Sequence, residues 1–571
     1  MKKKILILVT LVSLFNSVCT GQKLLNKLIS KVAGASAPEA TVVSKLSGLT
    51  PTIGFGSNLH PIELETVSQS FFPGWKTGAD LIFVMLNSKD NSAFTKIDGT
   101  VTIDGKVAEY STSGVYYIVS DPTNAPRKVE LTTSSGEKSS FMLEPNKKQL
   151  KVKSINGLTE DIILDLTKNV EIEIDDSKIP ENTLLKISIA MSQVGIKSTY
   201  DVCYIRKGSK IVIPAAAFRN INIKADGKFK KSFISVGIDE DLQAQSINGT
   251  FTHVNYLSTY SDGMFVSVKT EPEINLGLLV KGKDEPTNGT VTYEITKPNA
   301  FTSRPFSQIK KKIGISSFVA KGITISATSV ITQEKNLEKG EGQTTKTTTI
   351  TFPKQSNEAW NSLLEKMYPE FTKVLQAEFS ASIAEIDAVT KSTSFKKIKS
   401  SLPNVNTEKE FSVGIRNTQE TNYFSFVESF GINSIQEELF KETGTDALCT
   451  FTLELILGED KGKAFITPKL TYQISGKING TQTNTTFITG SCLGKGIPSD
   501  LIGLEIEFNT TGGKGTNDKK VHSVAGNISA QELEKLMRTS DLIGTFTNSL
   551  KEMIAKEKAN GDYETVWNLQ K

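Results

Sequence analysis

Residues that could carry out catalysis are dispersed along this chain of 571 residues. His60, His253 and His522 are isolated from one another, whereas a serine hydrolase needs a histidine placed beside its nucleophile. Ser394 and Lys397 have the Ser-x-x-Lys spacing of acylating enzymes, but the Lys-Thr-Gly element that should follow this pair lies upstream of it. These patterns predict no nucleophilic active site.

Carboxylates offer a second kind of chemistry. Glu171, Glu173 and Asp175 alternate with apolar residues, so they share one face of a predicted strand. Two facing carboxyl groups could hydrolyse a glycosidic bond, and such a face could also bind Ca²⁺ weakly. The same alternation is typical of a solvated strand face, which we expect here. With three His and four Cys in the sequence, we expect no metal site, no cofactor and no enzymatic activity.

Three aromatic residues form the candidate contact surface. Phe71, Phe72 and Trp75 surround the Pro-Gly turn of the stretch "QSFFPGWKTG". Aromatic side chains grouped in this way could bind a sugar or a protein partner. The same group could instead close one end of a β-sandwich core, and this is the interpretation that we favour.

Charge and length set limits on the kind of protein. The 66 basic and 62 acidic residues give a net charge of +4, so the chain lacks the strong basic excess of a nucleic-acid-binding protein. Hydrophobic residues make up 38% of the sequence, as in ordinary globular proteins. A chain of 571 residues is too long for one core, and we expect two to four domains.

The N-terminus predicts export. Three lysines, Lys2 to Lys4, precede an apolar run and a group of small residues, which is the pattern of a signal peptide over residues 1–21, cleaved after Gly21. Lipidation at Cys19 is the alternative. No later apolar run is long enough for a transmembrane helix, so we expect a protein of the periplasm, the outer membrane or the exterior.

Cleavage would leave Cys203, Cys449 and Cys492. Three widely spaced cysteines do not form a disulfide framework. Because Cys449 and Cys492 fall at opposite ends of a predicted meander, we expect buried free thiols.

The first half of the chain predicts β-structure. Residues 22–49 contain a short amphipathic helix and a linker, and the short strands of residues 50–147 and 148–304 predict two antiparallel β-sandwich domains. The run "GTVTIDGKVAEYSTSGVYY" contains the tight-turn dipeptide Asp104-Gly105. This run resembles the immunoglobulin-like (Ig-like) modules of secreted bacterial proteins.

Residues 305–571 predict an α/β domain with an inserted hairpin at 322–352. Helical spacing of apolar residues predicts a helix over 356–379, which we expect Pro369 to kink or divide. Three strands follow at 447–457, 464–478 and 485–494, and one face of the middle strand carries Ala464, Ile466, Leu470, Tyr472 and Ile474. Ser529 and Glu532 then make a capping box before one or two closing helices. The glycine-rich stretch 509–518 lacks the spacing of a phosphate-binding loop and predicts a flexible connection.

This third domain resembles the α/β fold of the TolB N-terminal domain, the curli-secretion channel lipoprotein and the activators of penicillin-binding proteins. The segments that carry the resemblance are "KKIGISSF", "EIDAVTKSTSFKKI" as second strand, "ETGTDALCTFTLEL" with Gly444 and Asp446, and the hairpin "KLTYQISGKINGTQTNTTFITG". The resemblance implies envelope assembly through protein contacts. We expect Gly444 to stop a helix and Asp446 to cap or bond local backbone donors where a strand begins.

Three functions remain open from the sequence. The leading hypothesis is a non-enzymatic secreted or envelope protein that binds envelope proteins. The second is an oligomeric outer-membrane secretion pore subunit, in which the hairpin at 322–352 crosses the bilayer. Its first strand alternates isoleucines with threonine and serine. The third is a glycan-binding adhesin or a carboxylate-dependent glycan hydrolase.

Overall fold

The computed structural model covers most of the chain after the predicted linker. It describes residues 40–61, 72–88, 91–111, 114–193, 196–219, 231–252, 254–270, 277–300, 303–309, 312–336, 340–397, 400–402, 404–421, 435–477, 484–511 and 518–568. The predicted signal peptide, Cys19, the helix after it and Phe71 lie outside these residues. Strands account for 52% of the structure and helices for 20%, so the protein is β-rich.

The first eighteen strands lie before residue 271. They are β1 (Thr41–Val43), β2 (Leu49–Ser57), β3 (Asp80–Ser88), β4 (Asn91–Ile97), β5 (Gly99–Ile103), β6 (Lys106–Val107), β7 (Glu109–Tyr110), β8 (Tyr116–Ser120), β9 (Arg127–Thr133), β10 (Lys138–Leu143), β11 (Lys151–Ile155), β12 (Ile163–Asp165), β13 (Val170–Asp175), β14 (Leu184–Gln193), β15 (Ile196–Arg206), β16 (Lys210–Ile213), β17 (Lys231–Gly249) and β18 (Val254–Thr270). Helix α1 (Ala215–Phe218) follows β16.

The later strands are β19 (Leu278–Asp284), β20 (Val291–Lys297), β21 (Lys312–Ile323), β22 (Ile325–Asn336), β23 (Gly340–Thr351), β24 (Ser382–Ile383), β25 (Ser400–Leu402), β26 (Val405–Asn406), β27 (Glu410–Gly414), β28 (Glu420–Thr421), β29 (Ala447–Asp460), β30 (Lys463–Lys477), β31 (Asn484–Gly494), β32 (Ile497–Pro498), β33 (Gly503–Thr511) and β34 (Asp518–Ser523). The helices are α2 (Asn357–Phe379), α3 (Ile386–Thr390), α4 (Thr393–Lys397), α5 (Ile435–Thr443), α6 (Ala530–Met537), α7 (Thr539–Asn560) and α8 (Asp562–Asn568).

Two very long strands hold the N-terminal half together. β17 and β18, of 19 and 17 residues, form one antiparallel hairpin. Near one end β17 pairs with β14, and near the other end it pairs with β10. The principal strand order of this sheet is β1-β4-β3-β2-β18-β17-β10-β9-β5-β6. Strands from both sides of the predicted boundary at residue 147 therefore share one sheet.

A second large sheet, of ten strands, forms the C-terminal half, with the principal order β19-β20-β31-β30-β29-β21-β27-β26 and with β24 beside β21 and β32 beside β30. β21 runs parallel to β29 inside this sheet. Helix α2 packs against β21, and α7 packs against β19, β20 and β31. The phenyl rings of Phe318 and Phe451 stack at 4.1 Å, and Phe371 packs on both. Because β19 and β20 belong to this sheet, pairing also crosses the predicted boundary at residue 304.

Most predicted elements of the C-terminal half are confirmed. β21 is a buried strand, β22 and β23 form the inserted hairpin, and Ser529 and Glu532 form the capping box. The helix α5 ends before Gly444, whose φ of 61° lies in the left-handed region that stops a helix. No helix among the described residues is long and apolar enough to cross a membrane.

One predicted element is wrong, and of the two effects expected of Pro369 the division of its helix does not occur. The stretch expected to be the second strand of the α/β domain, from Glu385 on, folds as the short helices α3 and α4. The strand nearest to it that pairs with β21 is the two-residue β24, Ser382–Ile383, just before this stretch. Pro369 does not divide its helix, since α2 is continuous from Asn357 to Phe379. Buried apolar residues on both sides of Pro369 hold the helix together across this position.

Candidate interaction surface

The inserted hairpin belongs to a separate four-stranded antiparallel sheet with the order β22-β23-β33-β34. β21 leaves the ten-stranded sheet and becomes β22 after a single residue, Thr324. The Thr324 amide donates to the carbonyl of Lys409 at 2.9 Å, and its hydroxyl donates to the carbonyl of Glu408 at 2.7 Å. These two bonds fix the base of the hairpin to the turn before β27.

The inward face of the four-stranded sheet is anchored by packing. Ile350, Leu504 and Ile506 are buried in the same core as β29 and β30. The Lys346 ammonium lies 3.4 Å from the Glu459 carboxylate at the edge of this contact. The four-stranded sheet is therefore held in place against β29 and β30, although its first strand, β22, extends beyond the part of the sheet that is buried.

The strand β22 has one open edge and two open faces. It pairs only with β23 among the described strands, and the side chains from Ala327 to Thr332 are exposed on both faces. Four large apolar side chains in and before this strand are largely uncovered: Ile323 (59%), Ile325 (39%), Val330 (58%) and Ile331 (60%). No charged residue occurs from Gly322 to Gln333. We call the exposed strand from Ile325 to Thr332 the open edge.

Strands at a sheet edge present unpaired backbone N–H and C=O groups that accept another strand. Soluble proteins usually protect such edges with charges, proline or short length. The open edge has none of these protections between Ile325 and Thr332. It can therefore add an extended segment through main-chain hydrogen bonds, with the isoleucine and valine side chains contributing apolar contact.

The predicted aromatic surface lies elsewhere. Phe72 and Trp75 are buried in a small core with Leu81 and Tyr117, and the Trp75 indole N–H donates to the carbonyl of His60 at 3.2 Å. These rings offer little free area in this chain. Whether the group contacts a ligand or a partner stays a prediction.

The other residues selected from the sequence have structural contacts. The side chains of Glu171, Glu173 and Asp175 are exposed, as expected for a solvated face, and Glu171 pairs with Lys210 at 2.7 Å. Ser394 of the Ser-x-x-Lys pair donates to the Glu442 carboxylate at 2.7 Å.

Asp446 accepts a hydrogen bond from a backbone amide where β21 begins. The amide of Lys312 donates to the Asp446 carboxylate at 3.1 Å, and the Asp446 amide donates back to the Lys312 carbonyl at 2.8 Å. The prediction that Asp446 bonds a local backbone donor is wrong, because the amide that it binds belongs to Lys312, 134 positions earlier in the chain. The three predicted thiols, Cys203, Cys449 and Cys492, are buried and free.

A polar cluster lies where β14, β15 and β17 meet. The Lys186 ammonium donates to Asp239 at 2.8 Å, and the Ser188 hydroxyl donates to Asp201 at 2.9 Å. Burial raises the pKa of Asp201, and burial together with the nearby Lys186 lowers the pKa of His60 to about 4. The charges pair with each other across neighbouring strands, so the cluster fastens β14 between β15 and β17.

Among the residues that the structure describes, no group of three or more His, Cys, Asp or Glu side chains could hold a metal ion. A scan against protein-family models and a search of curated proteins gave no match to this chain. Sequence patterning identified the inserted hairpin, but its pairing with β33 and its open edge became visible only in the structure.

Proposed function

We propose that this chain is a non-enzymatic protein of the cell envelope or exterior that binds envelope proteins by adding a strand at the open edge. The single observation that supports this proposal is the exposure of an uncharged, β-branched edge strand on both faces and along one side. A surface of this kind is costly to leave in water, which favours a partner that covers it.

The proposal also assigns a role to each part of the chain. The signal peptide at residues 1–21 would export the protein, and two Ig-like sandwiches would present the α/β domain with its TolB-like order of elements. The hairpin β17–β18 would then serve both sandwiches, since it pairs with strands from each of the predicted segments. A glycan is the alternative partner, with the group of Phe71, Phe72 and Trp75 as its contact surface.

The test is capture of partners from the organism's own envelope fraction, with mass spectrometry of the co-purifying proteins. We compare the unchanged chain with Val330→Lys on the open edge and with the matched control Val107→Lys. Val107 is an exposed valine (68%) on β6, at the edge of the N-terminal sheet that contains β17 and β18. Both substitutions place a charge at an exposed site, where we expect changes in stability within about 0.5 kcal/mol.

We expect the unchanged chain and Val107→Lys to recover the same envelope proteins and Val330→Lys to lose them. Equal recovery by all three proteins would refute binding at the open edge. Recovery of polysaccharide alone would favour the glycan-binding adhesin.

A second candidate function is the pore subunit, and the exposure of both faces of β22 from Ala327 to Thr332 favours it specifically. At about 3.4 Å per residue, the 12 residues of β22 span about 40 Å, which exceeds the roughly 30 Å of a bilayer core. Release of a dye from phospholipid vesicles tests this function. Release by the unchanged chain and by Val107→Lys, but not by Val330→Lys, would support it.

A further inference from the structure

We propose that the strand added at the open edge is the same strand of a second copy of this chain, paired antiparallel about a two-fold axis at Thr328. This inference rests on the proposed function and names the partner of the same surface. The resulting dimer would join the two four-stranded sheets into one continuous sheet.

The sequence of the open edge is complementary to itself in this register. A two-fold axis at Thr328 places Ile325 opposite Ile331 of the second copy, and by symmetry it also places Ile331 opposite Ile325 of the second copy. Ile325 and Ile331 lie on the same face of β22, because both pair with outward-facing threonines of β23. Both are exposed in one copy, and directly opposite apolar side chains on one face of an antiparallel pair contact each other.

The remaining positions of the register contain no conflict. Ala327 lies opposite Ser329 of the second copy, Ser326 lies opposite Val330, and Thr328 lies opposite itself. All seven residues from Ile325 to Ile331 are uncharged, so no like charges meet within the paired segment. The hydrogen bonds of Thr324 to the turn before β27 mark the end at which pairing stops.

An alternative register places charges in the pair. With the axis at Val330, Ile325 would face Lys335 and Ser326 would face Glu334, so each isoleucine would lose its apolar neighbour. The register about Thr328 therefore covers Ile325 and Ile331, two of the three exposed isoleucines in and before β22, where the register about Val330 does not. A seven-residue strand pair buries little area, and we expect a weak dimer whose population rises with protein concentration.

Disulfide formation tests the register directly. In antiparallel strands, directly opposite Cα atoms lie about 4.5 or 5.5 Å apart, within the range of a disulfide. Thr328→Cys should therefore cross-link two full-length chains under mild oxidation. Val330→Cys is the matched control, because two such residues would be four positions out of register and about 13 Å apart. The unchanged chain accounts for any cross-link through native cysteines.

We expect at least about tenfold more cross-linked dimer from Thr328→Cys than from Val330→Cys, because only the former meets the distance limit of a disulfide. Equal yields would overturn the register. A charge exchange gives an independent measurement by light scattering. Thr328→Lys and Thr328→Glu should each stay monomeric, since like charges directly opposite repel, and a mixture of the two should form dimers.

The outcomes separate this inference from the proposed function. If the chain stays monomeric while Val330→Lys still abolishes capture of envelope proteins, the pairing with a second copy is refuted and the proposed function stands. Oligomers larger than two would overturn the two-fold pairing in favour of a head-to-tail contact between the β22 and β34 edges. If Val330→Lys changes neither capture nor dimer formation, both proposals fall.

Discussion

Replacing Glu557 by glutamine tests the ion pair that joins the C-terminal helix to the sheet. Lys297 on β20 and Glu557 on α7 lie 3.0 Å apart, and their side chains are 0% and 4% exposed. The Lys297 ammonium also donates to the carbonyls of Arg304 and Phe487, and the Phe306 amide donates to Glu557. Burial lowers the pKa of Lys297 to about 8 and raises the pKa of Glu557.

Glu557→Gln keeps the size of the side chain and removes its charge, so it leaves an ammonium buried without a counter-charge. Breaking a buried pair in this way costs about 3–5 kcal/mol of unfolding free energy. The pH dependence has a definite sign. Because burial holds the pKa of Lys297 below its usual 10.5, the unfolded chain binds the extra proton between about pH 8 and 10.5. Glu557 partly offsets this lowering, so in the variant the pKa of Lys297 lies lower still, and stability should rise with pH across this window and begin to rise at a lower pH than in the unchanged chain.

The assay is urea unfolding combined with hydrogen exchange of residues 303–309 and 562–568. Trp567 reports on this region, since its indole N–H donates to the carbonyl of Ala300 at 2.7 Å. The matched control is Glu294→Gln, which breaks the exposed pair of Lys281 and Glu294 on neighbouring strands. Exposed pairs contribute about 0–1 kcal/mol. A loss below about 1 kcal/mol for Glu557→Gln would refute the reasoning from burial.

Three further predictions test other parts of the molecule. Burial is the largest cause that lowers the pKa of His60 to about 4, so stability should fall as the pH drops from 6.5 to 4, and His60→Gln should flatten this slope in thermal melts. Hydrogen bonds from the Ser394 amide and hydroxyl lower the pKa of Glu442 to about 2. The Ser394 amide should therefore lose its protection from hydrogen exchange as the pH falls from 4.5 through 2, and Glu442→Gln should remove that pH dependence. A Cβ at Gly490 would lie 2.2 Å from the Tyr472 ring, so Gly490→Ala should destabilise the ten-stranded sheet by about 1–3 kcal/mol in urea unfolding, and an unchanged midpoint would contradict this packing.

Local patterns predicted the faces of the C-terminal strands well. Alternation of apolar and polar residues in β30 identified the face of the strand that is buried. The five residues predicted for this face are all buried: Ala464, Ile466, Leu470, Tyr472 and Ile474. Helical spacing identified α2 because its apolar stripe packs on β21. These predictions succeeded because each depends on the periodicity of one element.

Strand neighbours could not be predicted in the same way. A period of two specifies which face of a strand is buried and leaves its partner open. The pairing of β17 with β10 and of β20 with β31 joins segments that are distant in sequence. β34 was missed because residues 518–523, "DKKVHS", show no clear alternation, and the stretch before it was predicted to be a flexible connection.

The candidate surface was predicted in part. The hairpin was expected from its alternating sequence. Which of its side chains are exposed depends on how far the rest of the C-terminal half extends along the hairpin, and the sequence does not show this. For the aromatic group the sequence favoured closure of one end of a core, and β3 and β8 supply the apolar neighbours that bury Phe72 and Trp75. A turn residue is buried or exposed according to the sheet that lies beneath it.

The direct passage of β21 into β22 has a mechanical consequence. β21 is held on one side by β29 along most of its length and on the other by β27 near its end. A pull on the outer end of the hairpin would load both ladders in shear, so many hydrogen bonds would have to break together instead of one after another. Tension applied by whatever is attached there would reach the centre of the molecule through a stiff strand.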